Sequence, residues 1–203
     1  MSPALSIMIP TIGRASLRGI LEDLVPQLEA QDQVLVVGDG RQWRAERICK
    51  KFRDTRIEYF EHGPDHAWGH PQRNVAMRRA KGTHLLSYDD DDVVLPDGLR
   101  HVRTAIEHFP DRPLVFRMQH RSELIWKDRE IRMANVSTQM IVVPNVAGRL
   151  GEWGRVYEGD LEFLKSTVAL YPEKEQAIVW RLERITLHGI AGEVPKRPAL
   201  KRV

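Results

Sequence analysis

Residues 84–95 read HLLSYDDDDVVL, a short apolar run that breaks into Asp89, Asp90, Asp91 and Asp92. Four adjacent carboxylates repel one another, so a fold accommodates them cheaply only in water or around a bound cation. Either solution places them at the end of a strand. In one reading the run is a site for a hard divalent cation, Mg²⁺ or Mn²⁺, which takes oxygen ligands and shares them with a phosphate-bearing substrate. In the other it is a solvated acidic turn. The rest of the chain has to decide between them.

Taken in order, the chain alternates strands and helices. Residues 5–10 (LSIMIP) form an apolar run closed by Pro10, and Thr11, Ile12, Gly13 and Arg14 follow as a loop before Ser16 offers an N-cap. From there Leu17, Ile20, Leu21, Leu24, Val25 and Leu28 recur at helical spacing, with Pro26 as a kink or stop. Residues 34–37 (VLVV) read as a strand buried on both faces, ending in Gly38-Asp39-Gly40. A helix within 42–52 and a strand over 56–60 complete a β-α-β-α-β series. His62, His66 and His70 are four apart, but Gly63, Pro64, Gly69 and Pro71 interrupt any continuous helix, so a loop beside a ligand is expected rather than a zinc site. The pattern then predicts a helix over 72–81 with Gly82 as its cap, and a strand over 85–88. Ligands of open α/β sheets bind beyond the carboxyl ends of the strands. Three such ends carry residues 11–14, Asp39 and the Asp run.

After Pro96 a helix reaching His108 is expected, and the texture then changes. Residues 113–119, 123–126 and 139–143 resemble antiparallel strands more than βαβ units. Residues 148–154 (GRLGEWG) form a Gly-rich loop holding Trp153, a helix is predicted over 159–170, and 177–188 alternate apolar and polar.

With 203 residues and 42% hydrophobic content the chain can bury a full core. No apolar segment approaches the ~20 residues that span a bilayer, and no basic region and apolar core of a signal peptide stand at the N-terminus, so a cytoplasmic protein is expected. The lone Cys49 has no partner for a disulfide and reads as a helix residue facing the core. The net charge of +3 is far from that of a dedicated nucleic-acid binder, and part of it sits in a basic tail from about residue 195, in Lys196, Arg197, Lys201 and Arg202.

Several of these pieces occur in a known order. IPTIGR, VVGDG, then GHPQRNVAMRRAKG running into LLSYDDDDVVLPDGL resemble the inverting family 2 glycosyltransferases of the GT-A fold. The shared pattern is Arg73-Asn74, Ala80-Lys81-Gly82, an apolar strand, the Asp run, and Pro96 four residues beyond its last Asp. The resemblance implies an α/β fold with a Rossmann-like, mostly parallel sheet, residues 1–95 forming a nucleotide-sugar-binding half and 96–203 a smaller, mixed acceptor-binding half of one merged domain. It implies a donor, uridine-linked, held by Pro10, Thr11, Arg14, Asp39, Arg73, Asp89 and Asp90. Mn²⁺ or Mg²⁺ would bind at Asp91 with Asp89 and, as a late ligand, His188. Asp160 would be the catalytic base with Glu158 in reserve, and Trp153 the acceptor-side aromatic. Two positions depart from the pattern: Gly38 replaces the first Asp of the usual Asp-Asp-Gly, and Gly159 replaces the Glu that usually precedes the catalytic Asp. The acceptor is open to a glycan, lipid, protein or modified nucleic acid, and the oligomeric state is open too.

Two other readings compete. Residues 85–93 also fit the Asp-x-Asp-x-Val of haloacid dehalogenase-type phosphatases, with Asp89 as nucleophile and Asp91 as acid/base, although that motif usually lies on a first strand. A nucleotide-sugar-binding module without turnover would keep the same fold.

Overall fold

The computed structural model describes residues 3–189. The order is β1 (Leu5–Thr11), α1 (Leu17–Leu24), β2 (Gln33–Asp39), α2 (Trp43–Phe52), β3 (Ile57–His62), α3 (His70–Arg79), β4 (His84–Ser87), β5 (Val93–Val94), α4 (Gly98–His108), β6 (Leu114–His120), β7 (Glu123–Ile125), β8 (Ile141–Pro144), α5 (Gly159–Val168) and β9 (Val179–Leu187). One nine-stranded sheet holds all the strands in the order β3-β2-β1-β4-β8-β6-β9-β5, with β7 beside β6. The β1, β2, β3 and β4 pairings are parallel, and β8 then runs antiparallel to both β4 and β6. The sheet therefore passes without a break from the first half of the chain into the second.

Alternation along the strands decides which helices cover which face. Ile7 and Ile9 of β1 and Val34 and Val36 of β2 pack with Leu17, Ile20, Leu21 and Leu24 of α1, Ile48 and Cys49 of α2, and Leu99 and Val102 of α4. Met8, Leu35 and Val37 point the other way, into a cluster with Ala76 of α3 and Leu161, Phe163 and Leu164 of α5. Cys49 is buried as expected, and burial pushes its thiol up to about 12.

One expectation about the elements needs adjustment. The predicted helix over 72–81 runs instead over His70–Arg79, because Pro71 sits in the first turn, where its missing N–H costs nothing. Helix α1 stops at Pro26 as expected, where a 3₁₀ turn, Val25–Gln27, takes over. The second half is mixed as expected: β6 pairs antiparallel with β7 and β8, and β9 pairs in parallel with β6. The basic tail from about 195 lies outside the described residues.

Candidate active site

The carboxyl ends of β1, β2 and β4 converge as the strand pattern implies, and the Asp run starts just past β4. The run is not a solvated turn, for Asp90 and Asp92 are buried and each is fully engaged. Asp90 accepts from the Thr11 hydroxyl (2.5 Å) and from Arg14 Nη1 (2.6 Å), tying the loop after β1 to the loop after β4. Asp92 accepts from the backbone N–H of Asp89 (2.7 Å) and of Gly189 (3.2 Å), and lies 3.2 Å from His188 Nδ1.

Asp89 faces the interior of a cavity of about 490 Å³. One of its oxygens pairs with Arg73 Nη2 and the other accepts from Gln139 Nε2 (2.8 Å). Arg73 is 1% exposed, a guanidinium buried without being wasted: it also donates to Ser87 Oγ (3.0 Å) and to the Trp68 carbonyl (2.8 Å). Opposite, at the start of α5, Asp160 and Glu158 line the same cavity. Burial pushes the Asp160 carboxyl up, against the N–H of Leu161 (2.8 Å) and the charge of Arg73, which favour the ionised form. The two carboxylates assigned to opposite ends of the reaction thus share one cleft.

A divalent cation can be tested against the donors present. Asp89, Asp92 and His188 each bring a ligand atom within 4.8 Å of the others. Two carboxylates and an imidazole suit Mn²⁺ or Mg²⁺, the imidazole favouring the former. Burial works against a charged His188, but the Asp92 contact and the neighbouring carboxylates outweigh it and raise its pKa. Burial raises Asp92 as well. The resemblance placed the metal on Asp91, but this carboxylate stands outside that cluster. It lies 3.5 Å from Arg14, and burial beside three other carboxylates pushes it up to about 6. Among the described residues it is Asp92, last in the run, that stands with Asp89 and His188.

Trp153 requires a correction. It is 3% exposed and stacked on Phe163 (4.2 Å between ring centroids) and on His70 (5.7 Å), so it supports the site from beneath. Its backbone exchanges two hydrogen bonds with the Asn74 side chain. The aromatics that do reach the cavity are Trp68 and Tyr157, 57% and 66% exposed and packed edge to face at 5.9 Å. Trp68 holds a left-handed backbone (φ 50), a strained choice for a bulky residue.

Asp39 is not open toward the cavity but braces the loop that presents Trp68. It accepts from the N–H groups of Asp65 (2.6 Å) and His66 (3.0 Å) and from Gln72 Nε2 (2.9 Å). Pro10, next to last in β1, packs against Gly69 at the foot of that loop.

Both departures from the family pattern are filled by neighbours. A Cβ at Gly38 would stand 2.8 Å from the Tyr59 hydroxyl and 2.6 Å from the Gly40 carbonyl. At Gly159 it would stand 2.5 Å from the ring of His70 and 2.7 Å from the Gly154 carbonyl. The ring is buried, with its pKa pushed down to about 4 by that burial and by Arg73, so it packs there uncharged. Gly159→Ala should therefore cost about 1–3 kcal/mol through overpacking. Chemical denaturation checks this, and the cost should shrink in the His70→Ala background; an unchanged midpoint for Gly159→Ala alone would show that the ring yields freely.

The sequence model of the family described as glycosyl transferase family 2 matches residues 6–168, about four-fifths of the chain. The chain belongs to this family. That membership removes the haloacid dehalogenase alternative for residues 85–93. A curated relative, an uncharacterized glycosyltransferase of Haemophilus influenzae, is 25% identical over 150 residues, covering 71% of this chain and 50% of its own length. The S. aureus TarS 1–349 crystal structure superposes with a TM-score of 0.72 at 16% identity, over 92% of this chain and 60% of that one. TarS 1–349 in complex with UDP-GlcNAc matches with a TM-score of 0.72 at 17% identity, over 94% and 60%. The chain thus spans half the length of the curated relative and 60% of these structures, and it shares with TarS the GT-A fold of this glycosyltransferase family.

Proposed function

We propose that this family 2 glycosyltransferase moves a hexosyl group from a uridine diphosphate sugar to an acceptor hydroxyl by a single inverting displacement. The observation that carries the reading is that Asp89 and Asp160 line one cavity, with Arg73 fixed among their neighbours. The UDP-GlcNAc named in the TarS complex supports a uridine-linked donor on the same fold.

Asp89, Asp92 and His188 would hold Mn²⁺ or Mg²⁺, whose chemistry is to neutralise charge on a departing diphosphate. On the donor side, the interlocked Thr11, Arg14 and Asp90 form the rim for the nucleotide, and Asp39 sets the loop that closes it. Arg73 holds Asp89 in place. On the acceptor side, Trp68 and Tyr157 offer aromatic surface to the incoming group, and Met118, Ile125 and Val136 add apolar surface to the lining. Asp160 takes the proton of the attacking hydroxyl as the bond to the anomeric carbon forms, worth ~10²–10⁴ in rate. No helix among the described residues is long and apolar enough to cross a membrane. The single buried thiol fits the reducing cytoplasm proposed as its compartment.

The test is release of nucleoside diphosphate from a panel of sugar nucleotides, with acceptor pools, in Mn²⁺ or Mg²⁺ and after chelation. Turnover of a uridine diphosphate sugar that stops on chelation and returns with metal is the expected result. Turnover indifferent to chelation removes the metal from the scheme, and binding without turnover against every acceptor pool makes the chain a nucleotide-sugar-binding module.

A further inference from the structure

Helix α2 turns Ala45, Ile48 and Cys49 into the core and leaves its outer side almost wholly cationic. Residues 41–53 contain six Arg and Lys against the single carboxylate of Glu46, a surplus larger than the +3 of the entire chain. Arg47, Lys50, Lys51 and Arg53 line a shallow groove of about 480 Å³ with Trp43 and Glu46. Arg18 of α1 extends the face, meeting Arg44, Arg47 and Lys51 around a second groove of about 220 Å³. Among the described residues, Lys50 is the one cation of this face with an ion-pair partner, Glu46 at 2.6 Å. At the leading end Trp43 is 61% exposed, with the Arg41 guanidinium 3.4 Å from its ring centroid.

None of these residues belongs to the transferase site, and the fold gives no internal reason for gathering like charges here. The face is a helix side roughly 15 Å long, offering spread cations instead of a pocket that closes on one phosphate. A planar array of fixed negative charge matches it, and an exposed indole at the edge of a cationic patch partitions to the boundary between headgroups and acyl chains. We propose that the outer face of α2, extended by Arg18, seats this protein on an anionic bilayer surface. The cations lie among lipid phosphates and Trp43 dips into the interface.

The experiment is flotation of the full 203-residue chain with phosphatidylcholine vesicles, with and without phosphatidylglycerol, in the absence of any sugar nucleotide. Binding should require phosphatidylglycerol and vanish near 1 M salt, where the screening length is about 3 Å. The triple variant R47E/K51E/R53E should bind on the order of 100-fold more weakly or worse, since each surface cation contributes several-fold. Its thermal melt should match the parent, all three positions being exposed. Trp43→Phe should abolish the blue shift in tryptophan emission on vesicle addition. Equal binding to neutral vesicles, full binding by the triple variant, or binding to duplex DNA or polyphosphate with none to vesicles would each overturn the proposal.

Discussion

Asp160→Asn should lower kcat by ~10²–10⁴ while the KM for the sugar nucleotide stays close to that of the parent. The amide keeps an oxygen for the Leu161 N–H and the same shape in the cavity, but it cannot take a proton from the acceptor. Two further readouts follow from burial having raised the carboxyl of Asp160. The base works ionised, so the parent's kcat/KM should fall on the acid side with an apparent pKa above the ordinary ~3.9 of an aspartate, and this limb should disappear from the residual rate of the variant. Stability has the opposite sign. A raised folded-state pKa stabilises the fold below the unfolded pKa, and that contribution is lost as pH rises through the folded value, so at neutral pH the parent bears the cost of a buried charge. The variant should then melt at the same temperature as the parent or slightly higher at pH 7, and lose that advantage in acid. A variant that transfers sugar at the parental rate would move the base elsewhere, first to Glu158.

Arg73→Met should remove both stability and activity. The parent side chain is buried and holds Asp89, Ser87 and the Trp68 carbonyl together. Taking away one partner of a buried pair leaves the other charged and poorly solvated, a loss of about 3 kcal/mol at the lower end of such cases, since Asp89 retains some exposure. For a chain of this size that is roughly 6–12 °C in Tm. The double variant with Asp89→Asn should recover part of the loss, because it removes the stranded charge. Calorimetry on the four proteins of this cycle measures the coupling, and a single variant melting within a degree of the parent would mean that Arg73 is not the buttress described.

Strand ends and helix faces were legible because each rests on a local pattern. Residues 34–37 could only be a buried strand, and Ile20, Leu21 and Leu24 could only face a core. Family spacing located the Asp run and Asp160. Roles within the run were harder, since four identical side chains differ only in where the loop turns them. Asp90 meets Thr11 and Arg14, whereas Asp92 folds back on the N–H of Asp89 and joins His188, which is 96 residues away. The places of Trp153, assigned to the acceptor side, and of Trp68, assigned nothing, were hidden for a related reason. Each sits in a Gly-rich loop, and only tertiary packing shows that the first stacks on Phe163 while the second is held outward through its carbonyl by Arg73. Gln139 carried no signal at all in the sequence, and its contact with Asp89 depends on the pairing of β8 with β4. The basic side of α2 was visible residue by residue, but its significance required knowing which side of the helix the core takes.

The anchoring of the loop between Trp153 and Gly159 has a consequence for how such a protein can diversify. One end is bolted by the Trp153 stack and its two bonds to Asn74, the other by the fit of Gly159 against His70. Between these anchors Tyr157 and Glu158 line the cleft, while Arg155 pairs with Asp65. On the proposed reading, selection could rewrite these two positions for a new acceptor while the anchors at either end stay unchanged.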